Sequence, residues 1–281
     1  MNVEVLNTGS ELLLGSVINV HVATFAQALF PLGLRINRQV AVPDGEPIRA
    51  ALADAISRAE IVLVTGGLGP TTDDLPRDIT ADLLDRPLSV DPTVLETIRA
   101  RFASRGAEMT PRVARQAEVP EGARVLPNAH GTAPGLYLEC PAGSVAPHPV
   151  HLFLLPGPPR ELGPMIEESL VPILRGLQPE RAVHECHLYH IIGIGESNVE
   201  ALVGEKLLAL PGLELGYCAR PGEVDVRCIG DATTLARARQ ILTETLGERV
   251  VSSDGRNLET VLVETLAQRG ETLAIAESCT G

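Results

Sequence analysis

The sequence predicts an α/β protein: a mostly parallel sheet flanked by helices, followed by a small α+β unit. Three observations carry that expectation. Short β-forming runs alternate with helical periodicity through the first half, the rhythm of a parallel sheet covered by helices. Hydrophobic residues make up 44% of the 281, enough to bury a substantial core. From about Leu177 the alternation gives way to a more strand-dense pattern. Aromatic residues are only 2% and Trp is absent, so the core is built from Leu, Val, Ile and Ala.

Taken in order, Val3–Leu6 reads as a strand, then a polar turn and a helix over Ile18–Leu32. Arg35–Val42 is a second strand, and Pro47–Ala59 is a helix with Ile48, Leu52 and Ile56 on one face. Ile61–Thr65 is a buried strand, too short and too closely followed by glycine for a helix. Thr80–Leu84 and Pro92–Arg105 are helices, the second with Asp91 as N-cap and Pro92 at the first helical position. Val125, Leu126 and Gly135–Glu139 are extended, His151–Leu155 is an apolar strand stopped by PGPP, and Arg160–Leu174 is a helix.

Gly176–Pro179 reads as a linker. The second unit follows as a strand (His184–Ile192), a helix (Ser197–Leu208), two strands (Leu213–Ala219, Glu223–Ile229) and a closing helix (Thr233–Leu246). A second linker, Ser252–Asn257, leads to a helix over Leu258–Gln268 and a strand at Thr272–Ile275.

Acidic residues outnumber basic ones 36 to 23, a net charge of −13, which repels a nucleic-acid backbone overall and leaves a small phosphorylated ligand open. The five cysteines are scattered without CxxC or CxxH spacing, so neither a disulfide framework nor a structural zinc site is indicated. The N-terminal segment has no signal-peptide pattern and no run approaches a membrane span. A cytoplasmic protein without membrane or nucleic-acid partners is expected.

The segment IVLVTGGLGPTTDD, residues 61–74, carries the strongest chemical signal. It is neither GxGxxG nor GxxxxGK[ST], which excludes the dinucleotide and P-loop patterns. Gly66, Gly67 and Gly69, ahead of Pro70, permit a close backbone approach, and consecutive amides in that geometry can make an anion nest. Thr71 and Thr72 add hydroxyls, while Asp73 and Asp74 add charge that a bare phosphate dislikes. A divalent metal between phosphate and carboxylates reconciles the two. A plain strand-to-helix turn capped by aspartate accounts for the same pattern.

Gly9, Ser10 and Glu11 close the first strand, and Asp44 follows the second in VPDGEP. Strand ends converge in a parallel sheet, so these groups belong to the same edge. The turn-rich segments Asn128–Gly135 and Leu155–Glu161 include Gly131, Thr132, Pro156 and Gly157 as ligand-facing backbone. His130 as a base and Arg160 as a phosphate contact compete with ordinary loop and surface roles. Gly193–Ser197 reads as an N-capping turn and Pro221–Glu223 as a hairpin turn.

GSELLLG, TGGLGPTTDD, PNAHGTAPG, LPGPPREL, GIGES, PGEVDVR and AESCTG follow one another in the order of the CinA, or competence/damage-inducible protein, family. The chain resembles that family over its whole length. TGGLGPTTDD also resembles the loop of the molybdopterin-binding, MoaB/MogA-like superfamily. The resemblance implies a molybdopterin-binding-like nucleotide domain over 1–175, a KH-like α+β domain over 180–250, and the start of a C-terminal amidase domain over 257–281.

It further implies a metal-dependent ADP-ribose pyrophosphatase yielding AMP and ribose 5-phosphate, in pyridine nucleotide metabolism. The superfamily aspartates fall on Asp44 and Asp74 with Asp73 beside the latter, Asp73 and Asp74 positioning a divalent cation (Mg, Mn or Co). Ser278 falls where the amidase motif carries its catalytic serine. Because the sequence stops at that motif, nicotinamide mononucleotide deamidase activity is expected to be absent. The alternatives are molybdopterin binding or adenylylation, and a non-catalytic nucleotide sensor. RNA binding is not expected from the KH-like unit, which has no basic GxxG loop. A homodimer is compatible with this type of sheet. Two departures stand out: Pro76 where a threonine commonly follows, and Val20-His21 where small polar residues are usual.

Overall fold

A computed structural model describes residues 1–177 and 184–279. The chain divides into two units, Met1–Arg181 and Ala182–Gly281. Part of the expected linker Gly176–Pro179 lies outside the described residues, as do Thr280 and Gly281 of the AESCTG motif. Among the described residues no helix is long and apolar enough to cross a membrane.

The first unit is built on six strands: β1 Val3–Thr8, β2 Ile36–Val42, β3 Ile61–Thr65, and the later β6 Arg124–Leu126, β7 Gly135–Cys140 and β8 Val150–Leu155. Between them, β4 Leu88–Val90 and β5 Glu118–Pro120 form a separate two-stranded ladder. The order in the main sheet is β2-β1-β3-β8-β7-β6. The first four strands are parallel, whereas β7 runs antiparallel to β8 and β6 antiparallel to β7. The sheet is therefore mixed. The segment joining β7 to β8 is too short for the crossover of a dozen or more residues that a parallel pair needs, so it folds back as a hairpin.

Burial on both faces explains the near-continuous apolar runs. All five residues of β3 are buried. Alternate residues face opposite ways: Leu6, Val62, Val64 and Leu152 pack with Ile48, Leu52 and Ile56 of helix Pro47–Arg58. Val5, Leu63 and Phe153 pack on the other side with Phe25 and Leu29 of helix His21–Leu29 and with Leu162 and Met165. Glu4, buried within β1, is held by Arg58 at 3.0 and 3.1 Å.

Several expected helices shift at their ends. The helix expected over Ile18–Leu32 is His21–Leu29 followed by a 3₁₀ turn, because Pro31 removes a donor. Thr80–Leu84 is in fact Pro76–Leu83, opened by a proline at its first position. Helix Pro92–Ala103 begins as expected, with Asp91 accepting from the amides of Thr93 at 2.8 Å and Val94 at 3.0 Å.

Register decides where the loops go. Thr8 lies opposite Val42, Asn7 opposite Thr65, and Thr65 opposite Leu155. The four parallel strands thus end level, and their exits share one edge of the sheet. Because β7 is antiparallel, its first residues lie beside the last of β8, Leu136 opposite Leu154. That brings the loop before Gly135 to the same edge.

The second unit is an antiparallel sheet of β9 Glu185–Ile192, β10 Glu214–Arg220, β11 Glu223–Gly230 and β12 Val250–Ser252, ordered β10-β11-β9-β12. Helices Glu196–Leu208 and Ala232–Leu246 cover it through Val199, Val203, Leu207, Leu235, Ala238 and Leu242. Beneath its surface Asp225 accepts from His190 at 2.5 Å and is paired with Arg220.

The strand expected at Thr272–Ile275 does not form: the segment has no regular structure, and Leu273 and Ile275 are exposed. A lone β-forming run has no ladder to join unless a neighbouring strand presents one, and none does so among the described residues. The helix before it, Leu258–Arg269, buries none of its side chains.

Two stability predictions follow from these contacts. Asp91→Ala should lower unfolding free energy by about 1 kcal/mol in urea denaturation, the usual loss of an N-cap. Asp225→Ala should lower it by about 3 kcal/mol, because His190 and Arg220 then lose a shared buried carboxylate.

Candidate functional site

At the common strand edge lies a cleft of about 580 Å³. The glycine loop after β3 forms its floor. Gly66 and Gly67 adopt φ of +97° and +63°, the left-handed region that L side chains rarely enter. A Cβ on Gly66 would stand 2.5 Å from the Thr8 carbonyl oxygen, and one on Gly67 would collide with Pro76. The chain turns sharply here only because both positions lack a side chain.

Not all of the loop amides remain available to a ligand. Gly66 N–H donates to the Leu155 carbonyl at 3.1 Å, extending the β3–β8 ladder by one bond. Gly9 N–H similarly donates to Val42 at 3.1 Å. The part of the loop that could meet an anion is the turn beyond Gly66, where Gly67, Gly69 and Pro70 line the cleft, Pro70 having no N–H and the Thr71 amide being taken by Asp74.

The three aspartates have different tasks. Asp44 Oδ2 accepts from both the amide and the hydroxyl of Ser10, each at 3.0 Å, tying the loop after β2 to the loop after β1. Asp74 Oδ2 accepts from the Thr71 amide at 2.7 Å and from its hydroxyl, closing the glycine loop on itself. Asp73 is exposed, and its carboxyl is held below the ordinary aspartate range by the Thr71 side chain and its own backbone amide. All three line the cleft.

Glu11, Thr132, Pro156 and Gly157 line it as well. Ser10 and Thr71 are not among its lining residues but hydrogen-bond to Asp44 and Asp74, which are. Gly131 borders a neighbouring groove, with its amide donating to Asn128 Oδ1 at 2.7 Å and its carbonyl accepting from Arg101. His130 and Arg160 are exposed and lie outside both walls. Ser278 is exposed within the irregular C-terminal segment.

Several residues escaped the sequence reading. Leu12, Val17, Ile18 and Val20 form an apolar wall, and Ile18 is 85% exposed. Gln116 is buried beside the cleft, donating from Nε2 to the Leu68 carbonyl at 3.2 Å.

Beneath the floor lies a polar network. Asn7 Nδ2 donates to Thr65 Oγ1 at 2.7 Å, while Asn7 Oδ1 accepts from Asn19 and Gln39, both at 2.9 Å. His21 Nδ1 lies 3.0 Å from Thr65 Oγ1, and burial lowers the imidazole pKa against a hydrogen bond to the Gly157 backbone that raises it. Asn7 has a sequence signal: an amide side chain in an otherwise buried strand.

Among the described residues no group of three or more His, Cys, Asp or Glu side chains could enclose a metal ion. The donor set instead fits a hard cation shared between one or two carboxylates, water and a phosphate. Asp73 and the remaining oxygen of Asp74 are the groups that could supply such ligands. No Lys or Arg lines the cleft among the described residues, although Glu11, Asp44, Asp73, Asp74 and Glu161 do.

Residues 4–176 match the family described as "Probable molybdopterin binding domain", and residues 187–250 match "Damage-inducible protein CinA KH domain". A CinA-like protein of Akkermansia muciniphila is 42% identical over 281 residues, covering 100% of this chain and 66% of its own length. A CinA-like protein of Nostoc punctiforme is 37% identical over 290 residues, covering 100% and 68%. The chain thus spans about two thirds of the length of these curated relatives. The solved structure of the protein CinA from Thermoplasma acidophilum aligns with a TM-score of 0.54 and 29% identity, over 62% of this chain and 99% of that one. Sequence order, fold and both domain matches agree that the chain belongs to the CinA family of competence/damage-inducible proteins.

Proposed function

We propose that this chain hydrolyses the pyrophosphate of ADP-ribose, or a close relative, to AMP and ribose 5-phosphate with a divalent cation (Mg, Mn or Co). The observation that supports this reading is one cleft lined together by the glycine loop, by carboxylates and by apolar side chains. The turn beyond Gly66 holds one phosphate through main-chain donors. Asp73, ionised at neutral pH, and the free oxygen of Asp74 hold the cation. When bound, that cation polarises a phosphoryl oxygen and lowers the pKa of an attacking water. Val17, Ile18 and Val20 offer an apolar surface to the nucleoside end, while Ser10 and Asp44 keep the two neighbouring loops in place.

Incubation with ADP-ribose should yield AMP and ribose 5-phosphate only when a divalent cation is present, with EDTA abolishing the reaction. Binding without products in either condition would instead identify a nucleotide sensor. Asp73→Asn should cut turnover roughly hundredfold, since it removes charge at the cation while keeping an amide oxygen for the Thr71 hydroxyl and the 2.7 Å Thr71 amide bond to Asp74 that shapes the loop. An unchanged rate would remove Asp73 from the mechanism.

A further inference from the structure

The chain between β1 and helix His21–Leu29 is held at both ends and loose between them. At one end the Ser10 amide and hydroxyl donate to Asp44 Oδ2, each at 3.0 Å. At the other, Asn19 gives its Nδ2 to Asn7 Oδ1 at 2.9 Å and accepts from the His21 amide at 3.1 Å. The single helical turn Ser10–Leu13 is closed by the Leu14 and Ser16 amides, which donate to Ser10 and Glu11 at 3.0 Å. Beyond it, up to Val20, there is neither helix nor strand. Among the described residues the amides of Val17, Ile18, Asn19 and Val20 donate to no backbone carbonyl. Gly15, at φ +73°, has nothing within 4 Å of where a side chain would stand. Unbonded amides and sparse packing mark a segment that moves at low cost.

Its side chains are the wrong kind to be left in water. Leu13, Leu14, Val17, Ile18 and Val20 are 43–85% exposed. Among the described residues of the first unit, the other exposed large apolar side chains are Val90 and Val145, which stand apart in the chain. Uncovered apolar surface concentrated in this way marks a place that another group covers. Leu12, Val17, Ile18 and Val20 line the cleft, so whatever fills the cleft meets them. A second copy of this chain suits that place poorly. Each copy carries a net charge of −13, and the cleft adds five carboxylates beside the apolar residues. The flat base of a nucleotide has both the size and the character to be enclosed there.

We propose that residues 14–18 form a strap, hinged at Gly15 and tethered at Asn19, that folds down over the nucleoside end of a ligand in the cleft. Closing buries Val17 and Ile18 against the base and sheds water from the cleft. The open strap admits the ligand, and the closed strap retains it. The strap rests on the nucleotide reading for its ligand.

The chain has no Trp, so Ile18→Trp at this exposed position supplies a lone fluorescent reporter. Mixed rapidly with AMP and Mg²⁺, the full chain should change its fluorescence at a rate that levels off as AMP rises, because closure follows binding. A rate that climbs in proportion to AMP identifies a fixed wall and overturns the strap. Ile18→Ser should release AMP about tenfold faster, and an unchanged release rate would overturn the burial of this side chain. Hydrogen exchange on the unsubstituted protein separates the strap from its ligand. Saturating AMP and Mg²⁺ should slow exchange about tenfold in residues 17–20 as well as in 67–74. Protection of 67–74 alone overturns the strap and leaves the nucleotide reading standing. Protection of neither removes the nucleotide reading, and the strap with it. Protection of 17–20 without ligand, growing with protein concentration, would show a second copy covering the segment and would also overturn the strap.

Discussion

The alignment of four parallel strands so that they end level is the constraint on which the rest of the first unit depends. Hydrogen bonding between Asn7 and Thr65 neighbours, and between Thr65 and Leu155, fixes which residues leave the sheet together. A slip of one residue would turn every side chain of a strand to the opposite face and move its exit by more than 3 Å. Both faces of this sheet are buried, so such a slip would place Leu6 or Val64 against the wrong helix. Packing of the core therefore sets the position of the loops, and the loops line the cleft.

Level strand ends also create a difficulty. Asn7 and Thr65 sit at the last turns of buried strands and are themselves 0% and 1% exposed. Each buried donor or acceptor left unpaired costs about 1–3 kcal/mol. The side chains of Asn19, His21 and Gln39, drawn from two other elements, satisfy them. The same bonds that make burial tolerable tie the start of helix His21–Leu29 and strand β2 to the floor of the cleft. Stability and pocket shape thus rest on the same atoms.

Much of this was legible in the sequence, for physical reasons that also explain what was not. Ile61–Thr65 announced a buried strand because five apolar or β-branched residues stop at glycine, and the convergence of acidic strand ends followed from parallel pairing. The family resemblance, built on seven ordered motifs, is upheld by both domain matches. The antiparallel direction of β6 and β7 was harder to read, because periodicity reports which face a residue occupies and not which way its neighbour runs. Thr272–Ile275 has the composition of a strand, yet a strand exists only through its partner. The Asn7 network joins residues separated by up to 58 positions, and no local spacing encodes such a bond. His21 entered the sequence reading only as an unusual residue in a family motif, and its meaning required the third dimension.

The glycine loop combines features that oppose one another in water. Its turn presents main-chain donors suited to an anion, while the cleft walls carry five carboxylates and, among the described residues, no Lys or Arg side chain. Unit charges a few ångströms apart in a partly desolvated cleft interact by several kcal/mol, so a bare pyrophosphate would be repelled more strongly than a few amides attract it. Three of the carboxylates are already partly satisfied from neighbouring segments, Asp44 by Ser10, Asp74 by Thr71 and Glu161 by Asn128, which spreads their charge into the loops they hold. Asp73, exposed and held only within its own loop by the Thr71 side chain and its own amide, keeps its charge on the open side. On the proposed function, a ligand arriving as a cation complex would resolve the conflict, with Asp73 placed to hold the cation and the turn beyond Gly66 to receive phosphate oxygens. Charge pairing would then favour a metal-bound nucleotide over a free one.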